Sequence, residues 1–361
     1  MPNPLKPGTH KAPTGQRLNI SLAFADNKNR WQRAAFRINE VIERIPRIKL
    51  DVPDDEAPKV TKKEKRKATL ARNKADTAYL LANADFEELP AITVCKELSI
   101  MGNKARYEYK LDSAMMDATM TAIHRILVGD ILSGSEFWAT RFFLNSNLTE
   151  ASKDGLTDSF ASALRITEGT STEASLATLS AEHQLSQPAY LDRLRLVHGR
   201  TFELMKGLTD DMTAQLRVTL TEGMARGVGI RDLKGMINNR LGIGMGRAER
   251  IARTEINNAY RGAYLSEADD LNEDALKDDE WEIQQAHRSA LSPTTRKTHG
   301  ARHSLIFTTR QQKDWWATGS NSINCLCSTL DVLVNKETGE ILQDKMIKTM
   351  KIQKKEWFPS K

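Results

Sequence analysis

Apolar residues recur at helical spacing near the start of the chain and predict a first helix over residues 29–45. Its buried face consists of Trp31, Ala34, Ala35, Ile38, Val41, Ile42 and Ile45. Pro46 ends the pattern, because proline lacks the amide proton that a helix interior needs. Residues 1–28 are predicted to be a disordered arm, since the first sixteen positions hold four prolines and two glycines.

Further helices are predicted up to residue 188. One spans residues 59–84 and carries charges nearly all round at its start, and another spans about residues 107–132. The second has a buried side made of Leu111, Met115, Ala118, Ala122, Ile126 and Val128. Residues 145–188 are rich in Ser, Thr and Gly, which favours shorter helices joined by loops. Residues 29–188 are therefore interpreted as one helical N-terminal region.

The most regular pattern lies between residues 190 and 272. It predicts the helices Leu191–Leu208, Asp210–Arg226, Ile230–Arg240 and Arg247–Asn272. Glycines at 227–229 and 242–246 separate the last three, because glycine adopts positive φ at little cost. Residues 281–334 are richer in β-branched and aromatic residues and predict a small α+β unit. Residues 335–361 are predicted to form a basic tail. The predicted fold is mainly α: an elongated helical N-terminal region, then a helical module with a small α+β C-terminal part.

The net charge of +6 is concentrated in one short segment. Residues 59–74 hold eight basic residues and one acid, or +7, so the rest of the chain sums to about −1. The basic residues are Lys59, Lys62, Lys63, Lys65, Arg66, Lys67, Arg72 and Lys74. Such density favours contact with DNA phosphates, whose neutralisation releases counterions, or with an acidic protein surface. A solvated helix face is the alternative interpretation.

The sequence also predicts where the protein resides. It shows neither a secretory signal nor an apolar stretch of about twenty residues, so neither secretion nor contact with a membrane is expected. Three cysteines, Cys95, Cys325 and Cys327, are too few for a disulfide framework and favour a reducing cytoplasm.

The helix predicted after Gly246 carries a narrow stripe of small residues. The stripe consists of Ala248, Ala252, Ile256, Ala259 and Ala263, and it allows a neighbouring helix to approach closely. Arg253, Thr254, Glu255 and Asn258 lie beside it. We interpret these four as residues that organise the module internally, since a carboxylate can order an adjacent loop by accepting its N–H groups. A catalytic glutamate is the less favoured alternative.

This segment resembles a known family. The run Ala248-Glu-Arg-Ile-Ala-Arg-Thr-Glu-Ile-Asn-Asn-Ala259, preceded by Gly227-Val-Gly-Ile-Arg-Asp-Leu233, is similar to the phage Mu F-like head morphogenesis family. The resemblance continues through Trp281 and Thr295-Arg-Lys-Thr-His299 to Asn324-Cys-Leu-Cys327, which is similar to the family's terminal Asn-Cys-Arg-Cys. It covers residues 190–334, about two-fifths of the chain.

The resemblance implies a structural role in a virus particle, not an enzyme. Such minor head proteins of tailed bacteriophages are present in few copies inside the head, at its interior or portal vertex, after assembly in the host cytoplasm. They associate with the portal protein and assist head morphogenesis and DNA packaging or ejection. The partners expected from it are the portal protein, the major capsid or scaffold protein and the packaged double-stranded DNA.

A second set of residues has metal-binding chemistry. His299, His303, Cys325 and Cys327 offer the imidazoles and thiols of a tetrahedral zinc site. The Cys-x-Cys spacing is tighter than usual, which favours two buried thiols beside a histidine that hydrogen-bonds to the backbone. The expectation is no cofactor, with structural zinc as the alternative. A metal-dependent hydrolase around His299, Cys325 and Cys327 is a further alternative function.

The glycines at 242–246 admit one more interpretation. Residues 241–251 resemble a helix-hairpin-helix element, whose backbone N–H groups receive a DNA phosphate. A DNA-binding protein without sequence specificity is thus the alternative to the head protein. A simple turn between two helices is favoured over such a hairpin.

Overall fold

A computed structural model describes residues 13–50, 106–133 and 142–357 of the chain. Among these, the helices are α1 (Arg17–Glu43), α2 (Ser113–Leu127), α3 (Asn145–Thr167), α4 (Glu173–Leu176), α5 (Ala181–Ser186), α6 (Pro188–Ala225), α7 (Ile230–Glu273), α8 (Lys297–Arg302), α9 (Thr309–Ala317) and α10 (Asp344–Trp357). The strands are β1 (Arg47–Leu50), β2 (Arg106–Tyr109), β3 (Trp281–Arg288), β4 (Ile306–Phe307) and β5 (Ser328–Asn335). The predicted class, mainly α with a small α+β C-terminal part, is confirmed.

The chain forms two compact units, each assembled from segments that are distant in sequence. The first unit comprises the described residues within Met1–Asn27, Glu136–Met205 and Ala248–Lys361, and the second comprises those within Lys28–Ser135 and Lys206–Arg247. This division differs from the linear one predicted at residues 188–190.

The second unit buries apolar side chains from α1 and α2. Trp31, Ile38 and Ile42 of α1 are buried together with Ile123 and Leu127 of α2. A π-helical turn, Val128–Leu132, extends α2. Strands β1 and β2 pair antiparallel.

The first unit contains a three-stranded antiparallel sheet in the order β4-β3-β5. One core cluster on this sheet joins Ala286 of β3 and Val332 of β5 to Ile347 and Met350 of α10. A second cluster includes Phe160 of α3 and further residues of α7, β3 and β5. Helices that precede the sheet in sequence, α3 and α7, and the helix that follows it, α10, therefore pack against its strands.

The disorder predicted for residues 1–28 is wrong from Arg17 onward, where α1 begins. Ile20 and Ala23 are buried, but amide contacts also hold this part of the helix. Asn19 Nδ2 donates to the carbonyl of Asn147 at 2.8 Å, and Asn147 Nδ2 donates to Asn19 Oδ1 at 2.6 Å. Apolar periodicity does not reveal such polar contacts, which explains the error.

The predicted break at residues 242–246 is also wrong, because α7 is one continuous helix of 44 residues. A β-carbon at Gly244 would meet the indole of Trp31 and the sulfur of Met212. Gly244 therefore serves the close approach of side chains inside the second unit, not a turn. The separate helices predicted on either side of Thr209 are likewise one helix, α6. Only the break at Gly227, with φ of 66°, is confirmed.

The basic tail predicted for residues 335–361 is wrong over Asp344–Trp357, which form α10. Ile347, Met350 and Trp357 are buried at spacings of three and seven, so an apolar face lies among the lysines. Trp357 packs against Gly300, where any β-carbon would collide with the indole ring. This contact fixes α8 and thereby His299.

Candidate functional site

Helix α7 contacts the loop before β5 through two neighbouring side chains. Arg253 Nη1 donates to Asn324 Oδ1 at 2.9 Å, and the Asn324 N–H donates to Thr254 Oγ1 at 2.9 Å. Asn324 has a left-handed backbone with φ of 54°, which asparagine tolerates better than most residues. The Ala-Arg-Thr-Glu helix and the late Cys-x-Cys segment are thus in direct contact.

Glu255 faces α6 instead of the cysteines. Its Oε2 accepts hydrogen bonds from Arg200 Nε at 2.9 Å and Nη2 at 2.5 Å. Its other oxygen accepts from Asn258 Nδ2 at 3.3 Å. The carboxylate is only 6% exposed, so the ion pair is shielded on that side and binds α7 to α6 within the first unit.

Arg261 is a residue that the sequence interpretation missed. The side chain is buried, its Nη2 donates to Asn258 Oδ1 at 2.6 Å, and its Nη1 donates to the carbonyls of Cys325 at 3.4 Å and Cys327 at 3.2 Å. Its position one turn after Asn258, beside the small-residue stripe, was the available signal. Arg261 thus anchors both cysteines to α7.

His299, Cys325 and Cys327 form a buried cluster, and none of the three is more than 4% exposed. Nδ1 of His299 lies 3.4 Å from the sulfur of Cys325 and 3.5 Å from that of Cys327. The Cys327 N–H donates to the Cys325 sulfur at 3.4 Å. The structure therefore brings together three of the four residues that the sequence suggested as zinc ligands.

The two thiols of this cluster differ in acidity. The pKa of Cys325 lies well below its ordinary value, because Cys327 hydrogen-bonds to its sulfur and the charge of Arg261 is near. The pKa of Cys327 lies well above its ordinary value, because it donates that hydrogen bond and is buried beside the Cys325 sulfur. The pair thus favours a single negative charge.

His303 belongs to a different environment. Its Nδ1 accepts a hydrogen bond from the Ser289 N–H at 3.0 Å, and burial lowers its pKa to about 4. The fourth predicted zinc ligand is therefore a neutral histidine bound to the backbone.

A cavity of about 160 Å³ borders the cluster. Its lining includes the three cluster residues together with Arg253 and Arg296, but among the described residues no Asp or Glu lines it. The cavity accordingly has cationic and thiol chemistry without a carboxylate that could act as a general base.

Comparison with known families gives one match. The family described as phage Mu protein F like protein matches residues 214–330, about a third of the chain. Over these residues the chain is similar to the phage Mu F-like proteins. The Mu F-like region contains Arg253, Thr254, Asn324 and both clustered cysteines, so the contacts described above join its two ends. No curated protein and no solved structure matched the chain.

The match supports a bacteriophage head-related protein. Within the part of the chain that the structure describes, no helix is long and apolar enough to cross a bilayer. The residues predicted to contact DNA, Lys59 to Lys74, lie outside the described residues. The helix-hairpin-helix interpretation of residues 241–251 is wrong, because they belong to the continuous α7.

Proposed function

We propose that the chain is a minor head protein of a tailed bacteriophage, located at the head interior or the portal vertex. It acts there as a structural part without catalytic activity and assists head morphogenesis and DNA packaging or ejection. The observation that carries this proposal is the match of residues 214–330 to the phage Mu F-like family.

The packing of the Mu F-like region supports a structural role. Its helix and its terminal cysteines are joined by the Arg253–Asn324, Thr254–Asn324 and Arg261–cysteine contacts. These side chains are used for internal hydrogen bonds, which suits a rigid module that docks on other proteins. The expected protein partners are the portal protein and the major capsid or scaffold protein.

The charge distribution supports a second partner, the packaged double-stranded DNA. Residues 59–74 carry +7, so eight cations are available in one segment for neutralising phosphates. This contact is independent of base sequence, because phosphate contacts position a protein without reading the bases.

The test is the composition of the phage particles. In purified virions and procapsids, quantitative mass spectrometry should find the chain in far fewer copies than the major capsid protein, and chemical cross-links should join it to the portal. A phage with a nonsense codon in this gene should assemble heads that package or deliver less DNA, and supplying the protein in trans should restore them. Particles that lack the chain at every stage would refute the proposal.

A further inference from the structure

The proposed function does not use the side chains of the buried cluster of His299, Cys325 and Cys327. We propose that these three side chains bind one zinc ion in the reduced protein, through Nδ1 of His299 and the two sulfurs. The ion joins α8 to the segment that enters β5.

The distances in the cluster fit zinc. A tetrahedral ion with Zn–N near 2.0–2.1 Å and Zn–S near 2.3 Å separates its nitrogen and sulfur ligands by about 3.5 Å. The distances from His299 Nδ1 to the Cys325 and Cys327 sulfurs are 3.4 and 3.5 Å. All three ligand atoms lie within 4.8 Å of one another. The side chains thus need little movement to enclose the ion.

The charges also fit. Two thiolates and a neutral imidazole balance a divalent cation, whereas two buried thiolates without a cation repel each other. The Cys327 N–H already donates to the Cys325 sulfur, which stabilises a thiolate there. Zinc takes the place of the thiol protons, so binding releases protons and weakens at low pH.

Residues around the cluster hold the ligands in place. Arg261 donates to the carbonyls of both cysteines from α7, and Trp357 packs against Gly300 next to His299. Supporting contacts of this kind orient metal ligands before the ion arrives.

Binding changes one contact of His299. When Nδ1 holds the ion, Nε2 must carry the proton, yet Nε2 lies 3.1 Å from Nη1 of Arg296, which can only donate. Arg296 also donates to the carbonyls of Ser320 at 2.9 Å and Ile323 at 2.6 Å. Because the N–H bonds of a guanidinium are fixed in its plane, the imidazole of His299 and the side chain of Arg296 must move apart when the ion binds, while Nη2 of Arg296 keeps its hydrogen bond to the Ile323 carbonyl.

The fourth ligand comes from the cavity, which all three residues line and which can hold a water molecule. Among the described residues, no carboxylate lines the cavity. The three protein ligands hold the ion between α8 and the segment that enters β5, and the water completes its tetrahedral coordination.

The first experiment measures metal in the full-length chain, purified under reducing conditions without chelator. Elemental analysis should give one zinc per chain. After removal of zinc, titration with Co²⁺ should produce the visible absorption of a tetrahedral site and the near-ultraviolet charge-transfer bands of cobalt thiolates. Cys325→Ser and Cys327→Ser should lose the bound zinc and weaken these bands.

Cys95→Ser provides the matched control, because Cys95 is not one of the three proposed ligands and its replacement should leave a full equivalent of zinc. Circular dichroism of each variant separates loss of metal from loss of fold, and the cobalt spectrum of the unmutated chain does not depend on any variant. A chain that contains all its thiols in reduced form, carries no zinc and gives only the spectrum of hydrated cobalt would overturn the proposal. Equal loss of metal in Cys95→Ser would do the same.

Discussion

Glu267 of α7 is almost fully buried, and none of the described residues donates a hydrogen bond to either of its oxygens. Burial, together with the charge of Asp270, raises its pKa to about 7. In the unfolded chain the same group titrates near 4.5. Between pH values of about 4.5 and about 7, the folded protein therefore keeps a proton on Glu267 that the unfolded chain releases. Its free energy of unfolding decreases as the pH rises through this range.

Glu267→Gln should remove this pH dependence, because glutamine has nearly the same shape and never ionises. At pH 8 we expect the variant to exceed the unmutated chain in free energy of unfolding by up to about 3 kcal/mol. At pH 4 the two should differ by much less, since Glu267 is then neutral in both states. Urea unfolding at both pH values measures the difference. An advantage of equal size at both pH values would mean that packing, not ionisation, is responsible.

Buried polar residues are also the part of the site that was hardest to predict from the sequence. The sequence singled out Arg253 and Thr254 as residues that organise the module, and the structure gives them a contact with the Asn324 loop. Arg261 and Asp331 were missed, since a charged residue in a pattern is normally assigned to the surface, although the position of Arg261 beside the small-residue stripe was a signal. Asp331 is buried in β5, where it accepts hydrogen bonds from Tyr264 at 2.9 Å and Gln285 at 2.7 Å.

At the level of elements, apolar periodicity predicted that most of these segments are helical. It did not predict where the helices end or break. Glycine has two uses that a sequence does not distinguish: it permits positive φ, as at Gly227, and it makes room for a neighbour, as at Gly244. The apolar face of α10 was overlooked because Ile347, Met350 and Trp357 stand among many lysines. Tertiary packing decides such cases, and the local pattern of apolar residues carries no information about that packing.

The glycines of α7 allow a direct test of the continuous helix. Gly244→Ala should destabilise the protein by about 1–3 kcal/mol, because the new methyl group would meet Trp31 and Met212. Gly242→Ala and Gly246→Ala should instead stabilise it by up to about 1 kcal/mol, since nothing lies within 4 Å of the added carbon and alanine favours the helix. Chemical unfolding of the three variants provides the comparison. A hairpin at these residues predicts that all three substitutions destabilise the protein.

For the whole molecule, the distribution of charge along the sequence limits which part of the chain can bind DNA. The total is +6 and residues 59–74 supply +7, so the remainder is nearly neutral and gives little attraction to a polyanion. A second group of lysines lies on α10, where Lys345, Lys351 and Lys355 are exposed. These three lysines allow a replacement of the same charge as three lysines of residues 59–74, so the two regions can be compared within one protein.

Replacing Lys62, Lys63 and Lys65 with glutamine should weaken binding of the full chain to double-stranded DNA. The plot of log affinity against log salt concentration should become shallower by up to about 2.7, because each phosphate contact contributes about 0.9 to the slope. The same replacement of Lys345, Lys351 and Lys355 lowers the net charge equally and should leave the slope nearly unchanged. Fluorescence anisotropy over a series of salt concentrations measures both. Equal changes in the two variants would mean that net charge alone attracts DNA, and an unchanged slope in the first would make an acidic protein surface the partner of residues 59–74.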